Sequence, residues 1–351
     1  MGCFGVGLLV WPEEAMAAGR EGLALCANTI VPSLFPFFVL SSLVVGLGYA
    51  EGLGRVLGKF MGPLFGLNGC CASALVLGLV GGYPVGAKTA AELVRQGLCS
   101  RQEGQRMLGF CSNAGPAFLV GVVGVGIFGS GKVGLMLWLV HILSALVTGV
   151  LLKLGGGNIA TPPRPNAAGK TLSPARVFTD SVKSSVTALL QVCAFILLFG
   201  VLLRLIRCAG LLRVENLWLE RLLCGLVELS NGLAMLPADA PGRSLPMAAF
   251  LLGWGGISVV CQTMSVVQEA GLSIGSYIYG KLIHGIISAG FCSIFIYFMP
   301  KTVTTSAWSS TPIQNNYVYY TAICIALAIG MGLLFFRSGK IRGGNPGETR
   351  V

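Results

Sequence analysis

The chain has 351 residues, 54% of them hydrophobic and 11% charged, with a mean hydropathy of +0.79; soluble domains carry about twice that charge. A single water-soluble core is therefore excluded and an integral membrane protein is indicated. The formal charge is 24 − 13 = +11, but the basic residues are scattered through short loops, so lipid headgroups are their expected partner and nucleic acid is not.

Residues 1–20 open with an apolar stretch that ends at Glu13 and Glu14 and is too short to cross a ~30 Å hydrocarbon layer. No basic n-region precedes it, so a cleaved signal peptide is not expected. The segment reads either as a clipped first span or as an interfacial piece. Six later windows approach the ~20 apolar residues a span needs: 23–48, 107–128, 132–154, 183–206, 274–299 and 317–336.

Between the first two windows, "LVGGYPVGAKTAAEL" (79–93) breaks an apolar run with Gly81, Gly82, Tyr83 and Pro84. Glycine adopts backbone angles closed to other residues, and proline fixes its own φ while disfavouring helix in the residue before it. Each half of 72–97 has room for a helix of only ~15 Å. The segment therefore predicts a re-entrant helical hairpin whose tip must face protein or a polar cavity. A kinked ordinary span packed through small residues is the competing reading. Next, "GFCSNAGPAFLVG" (109–121) places Ser112, Asn113, Gly115 and Pro116 inside an apolar run, which predicts either an unwound helix lining that cavity or a proline kink whose Ser and Asn are satisfied by neighbouring helices.

Residues 155–182, rich in Gly, Pro and Ala, predict a flexible linker that divides the chain. Shifting the sequence by 174 positions aligns Gly81 with Gly255, Gly82 with Gly256, Thr89 with Thr263 and Leu98 with Leu272. Residues 246–271 are accordingly expected to form a second hairpin, with Gly256, Ser258, Gln262 and Thr263 near its tip. Repeats at 21–154 and 183–336 with three crossings each must have opposite orientation. The expected fold is an all-α polytopic membrane protein of two inverted repeats, each with three spans and a re-entrant hairpin, followed by a basic tail at 337–351.

Ionisable groups inside apolar segments are functional candidates by default. Lys88 is one, although Glu92 one turn away offers a neutralising partner. In "SYIYGKLIHGIISAG" Tyr277, Lys281, His284 and Ser288 share one helical face; for Lys281, snorkelling to the interface is the rival explanation. Lysines on these stripes without matching carboxylates favour a small-molecule anion as ligand. His141 stands alone on an apolar helix and reads as a packing residue, and Glu269 as solvated.

The cysteines show no C-x-x-C spacing and the two histidines lie apart, so no metal site, disulfide framework or cofactor is expected. "GGYPVGAKT" fails as a phosphate loop because Ala87 separates Gly86 from Lys88. No catalytic constellation stands out, and the chain is not expected to be an enzyme. Basic residues divide evenly between the two predicted sides, so orientation is not fixed by charge.

"VPSLFPFFVLSS" (31–42), "GGYPVGAK" (81–88) and "CSNAGPAF" (111–118) resemble the YlbJ-type sporulation integral membrane proteins of the nucleoside-recognition Gate group, which is related to concentrative nucleoside transporters. The resemblance runs from about Glu13 to Arg337. It implies two inverted units with hairpin tips at 81–89 and 255–263 and an unwound segment at 112–116. The acidic, glutamine-rich tip of the nucleoside transporters is absent, Lys88 and Thr89 standing in its place. The resemblance also implies transport of dipicolinic acid, an aromatic dicarboxylate, during sporulation, in a bacterial cell membrane such as the outer forespore membrane. The expected function is therefore alternating-access transport of a small anionic aromatic carboxylate at a site built from Gly82, Tyr83, Pro84, Lys88, Thr89, Ser112, Asn113, Gly256, Ser258, Gln262, Thr263, Lys281 and His284. A nucleoside or nucleobase permease and a non-transporting scaffold for spore-envelope assembly are the alternatives. A homo-oligomer is compatible with each.

Overall fold

The computed structural model describes residues 2–47, 49–160, 173–212 and 214–298, and within them no strand occurs. Helix α1 (Gly2–Val10) is followed by α2 (Pro12–Leu25), which passes through a π-helical turn at Cys26–Ile30 into α3 (Val31–Gly46). Then come α4 (Tyr49–Phe60), α5 (Ala72–Gly81), α6 (Val85–Arg95), α7 (Arg101–Leu108), a π-helix at Ala117–Ile127 and α8 (Gly131–Gly156). The second half holds α9 (Pro174–Cys208), α10 (Leu217–Val227), α11 (Leu229–Ala234), α12 (Pro241–Trp254), α13 (Gly256–Val267) and α14 (Gly275–Phe298).

Gly131–Gly156, Pro174–Cys208, Pro241–Val267 and Gly275–Phe298 are long and apolar enough to cross a membrane, and Val56–Phe65 with Gly69–Gly81 would make a fifth span bent by 102°. The outward faces carry leucine and phenylalanine: Leu135, Leu139 and Leu143 recur one turn apart on α8 and are exposed, as are Leu190 on α9 and Phe298 on α14. Such faces suit lipid contact. Three expected windows, 132–154, 183–206 and 274–299, fall on α8, α9 and α14. Window 23–48 falls largely on the α2–α3 run with its π turn. Of 107–128 only Ala117–Ile127 and the end of α7 are helical, because Pro116 and the stretch before it interrupt the helix. Window 317–336 and the basic tail lie outside the described residues.

Two further expectations need correction. The linker is shorter than 155–182: α9 begins at Pro174, and the Ser173 hydroxyl accepts from the Arg176 amide, a Ser-Pro helix start of the usual kind. The second hairpin is not at 246–271. There the chain runs on as the span Pro241–Val267, interrupted at Gly255 and Gly256, whose φ values are 89° and 86°. No proline accompanies this Gly-Gly pair, and α12 is held against α14 where Gly253 meets the backbone of Gly285.

The segment that folds back is instead α10–α11, whose arms approach so closely that a Cβ on Gly232 would collide with Gly225. In α5–α6 the equivalent contact joins Gly78 and Gly86. The first hairpin is anchored at its base by Glu103, a fully buried carboxylate of α7. It accepts from the Asn68 amide at 2.7 Å and from the Ser100 amide at 2.8 Å, completing a capping box.

Candidate functional site

Both hairpin tips rest on an interruption in a neighbouring helix. At the first, α5 ends at Gly82, with φ of 82°, and α6 starts after Pro84. Beneath it the chain is unwound between α7 and the Ala117–Ile127 helix. A Cβ on Gly78 or Gly86 would strike the Cys111 carbonyl oxygen, and one on Gly82 would stand 3.1 Å from the Gly115 nitrogen. Only residues without side chains let the hairpin straddle that bare backbone. At the second tip, Gly256 lies under Val227 and Leu229, and a Cβ on it would be 3.1 Å from the Leu229 amide nitrogen.

The two interruptions meet. The Tyr83 hydroxyl donates to the Leu252 carbonyl, one turn before Gly255, and the Tyr83 ring lies against Gly255. Lys281 stands behind that ring, its side-chain nitrogen 5.4 Å from the centroid. It is fully buried, donates to the Ser112 carbonyl at 2.7 Å and lies 3.0 Å from His284 Nδ1. His284 Nε2 in turn lies 3.0 Å from the His141 carbonyl oxygen. The two imidazoles lie tilted at 40° to each other with centroids 4.4 Å apart, and His141 Nε2 accepts from the Ala114 amide at 3.0 Å.

Near this group Asn113 Oδ1, His141 Nδ1 and Ser288 Oγ are buried without a hydrogen-bond partner, and the hydroxyls of Ser112, Thr263 and Tyr277 are buried with only one another in reach. The Tyr277 hydroxyl faces those of Thr263 and Ser112. Each unpartnered buried group costs roughly 1–3 kcal/mol, so a cluster of them beside a lysine marks a place made for a polar guest.

A separate cavity of about 510 Å³ lies on the other side of the tip, lined among others by Pro84, Lys88, Thr89, Ser181, Ser184 and Ser265. Lys88 bonds the Ser184 hydroxyl of α9 there. Glu92 makes its direct contacts with Arg95 and Gln96, so the one-turn spacing leaves it acting on Lys88 through space rather than as a contact ion pair. Thr89 is tied to the Val85 carbonyl at 2.9 Å.

Of the residues singled out in the sequence, Tyr83, Ser112, Asn113, Thr263, Lys281 and His284 thus gather at or beside the buried centre, with Gly82 at its edge. Pro84, Lys88 and Thr89 face the cavity. Gly256 supports the second tip, and Ser258 and Gln262 bond each other on α13 at 3.3 Å. The residue missed was His141. Nothing in its own helix identifies it, since its partner lies 143 positions away. Lys281 does not snorkel: its nitrogen is fixed inside by two partners.

These features define an all-helical integral membrane protein in which interrupted helices and hairpin tips enclose a buried polar centre. Residues 27–131, which include the first hairpin and the unwound segment, match the Gate family, described as "Nucleoside recognition". The chain is 30% identical over 332 residues to the sporulation integral membrane protein YlbJ of Bacillus subtilis (strain 168), a match covering 85% of this chain and 80% of that protein. It belongs to the YlbJ-type Gate family. No solved structure gives a significant match.

Proposed function

We propose that this protein carries a small carboxylate anion across the membrane, with dipicolinate as the leading solute. The observation that carries the reading is Lys281: a fully buried amine with no ion pair among the described residues, held at the Ser112 carbonyl beside a buried cluster of hydroxyls. Three helices, α6, Ala117–Ile127 and α13, start at the breaks around this centre, but α5, α7 and α12 end there. Helix dipoles therefore largely cancel, and the lysine sets the sign of the guest. An aromatic dicarboxylate would use the Lys281 amine and the hydroxyls of Ser112, Thr263 and Tyr277 for its charge and the Tyr83 ring for its apolar face.

Access would alternate about the first tip. Tyr83 closes the centre by bonding the Leu252 carbonyl, and Pro84 fronts the cavity in which Lys88 would receive an arriving anion. Two repeats of opposite orientation fit this scheme when α5–α6 is paired with α10–α11, the broken span 101–127 with α12–α13, and α8 with α14. That pairing sets His141 against His284.

Vesicles containing the purified protein should accumulate labelled dipicolinate, with uptake lost in Lys281→Ala and weakened in Lys88→Ala. Uptake no better than in empty vesicles would defeat the proposal. The family description favours nucleosides as a second reading; competition of uptake by uridine would establish it. The scaffold alternative instead requires that Tyr83→Ala, if expressed at the normal level, leave sporulation intact.

A further inference from the structure

Lys281 also bears on the ion that accompanies the solute. The His141 carbonyl can only accept, so His284 Nε2, 3.0 Å away, carries the ring proton and Nδ1 is the acceptor. Lys281 then has two acceptors, His284 Nδ1 at 3.0 Å and the Ser112 carbonyl at 2.7 Å. A neutral amine has two N–H groups, and both are satisfied. An ammonium has a third, which among the described residues meets only the face of the Tyr83 ring and no carboxylate.

The second histidine offers no outlet. His141 Nε2 accepts from the Ala114 amide, so its proton sits on Nδ1, which is unpartnered. The titratable groups that face Lys281 are Cys111 from the unwound segment, Tyr83 from the tip, His141 from α8, and Tyr277 and His284 from α14 itself. None is a carboxylate. A buried ammonium needs an anion close by; none faces it among the described residues, so a guest would bring one.

Resting on the carrier reading above, we propose that each solute anion enters together with one proton that converts the Lys281 amine to an ammonium, so that the protein is a proton–anion symporter. The third N–H donates to the solute carboxylate. The only bond made is the N–H bond: the proton comes from water on the side of entry, and returns to water on the other side when the solute leaves. The emptied centre then carries no unpaired charge while it resets.

The test uses the full-length protein in vesicles holding a pH-sensitive dye, with dipicolinate offered outside at equal or more acidic pH. Solute uptake should acidify the lumen and quicken with an inward proton gradient. Lys281→Met should lose uptake by about 30-fold or more, the size expected when one partner of a buried charged hydrogen bond is removed. Lys281→Arg, which cannot shed its proton, should lose net uptake yet still exchange internal for external solute at a reduced rate. Uptake that neither acidifies the lumen nor responds to the gradient would overturn proton coupling while leaving the carrier reading intact. Equal loss of net uptake and exchange in Lys281→Arg, with the variant folded by its elution profile, would also overturn it. No wild-type uptake at all would remove both proposals.

Discussion

Tyr83 is the single side chain common to the tip of α5–α6, the backbone of α12 and the lysine. Its hydroxyl supplies one hydrogen bond across that junction, worth about 0.5–1.5 kcal/mol net. Tyr83→Phe should therefore loosen the closure by up to about tenfold in population without unfolding the chain. Labelling of Cys111, buried beneath the hairpin, by a small thiol reagent should rise accordingly. At Gly86 the outcome is different, because an added methyl collides with the Cys111 carbonyl: Gly86→Ala should cost several-fold in folded yield. Gly19→Ala meets nothing within 4 Å on α2 and should stabilise that helix by about 0.5–1 kcal/mol, measured as a higher melting temperature in detergent. Much of the centre was legible at this scale, since Tyr277, Lys281, His284 and Ser288 follow helical spacing. His141 was not legible, because its meaning comes entirely from a helix far along the chain.

At the scale of elements, the two hairpins are built by different means. The first announces itself through Gly82, Tyr83 and Pro84. The second turns at Glu228, where the backbone is extended and the carboxylate caps α11 by accepting from the Asn231 amide at 2.7 Å. A turn made by a capping acid carries no Gly-Gly or proline signal, and so nothing local marks α10–α11 as a hairpin. The true Gly-Gly pair at 255–256 sits in a broken span, which is why an offset of 174 matched a hairpin to something that is not one. Glu228→Ala should cost about 0.5–2 kcal/mol, as loss of a helix cap does, whereas Glu228→Asp, retaining an acceptor, should cost less. Thermal unfolding of the two variants side by side checks the order.

Across the whole molecule, the first tip stands between two polar regions of unlike character. The cavity is open and mixed in charge, with Lys88 and Arg95 beside Glu92 and Asp180; the centre behind Tyr83 is closed and holds one amine. An arriving anion would be collected in the first and committed in the second. Lys88→Ala should accordingly raise the KM for uptake with little change in maximal rate, and concentration dependence measured beside Lys281→Ala, which abolishes the rate, separates the two roles. That the chain is a membrane protein followed from composition alone. Which breaks meet did not, because contact between Tyr83 and Leu252 joins segments 169 positions apart and no local pattern encodes it.

The glycine saddle formed by Gly78 and Gly86 over the Cys111 carbonyl has a mechanical implication. Main chain pressed on main chain offers no rotamer to swing aside, so α5, α6 and the segment beneath them must shift in concert. Motion is left to the junction with α12, where one phenol supplies the hydrogen bond. A covalent staple across the saddle should be silent, and the same staple between the tip and α12 should abolish the uptake proposed above.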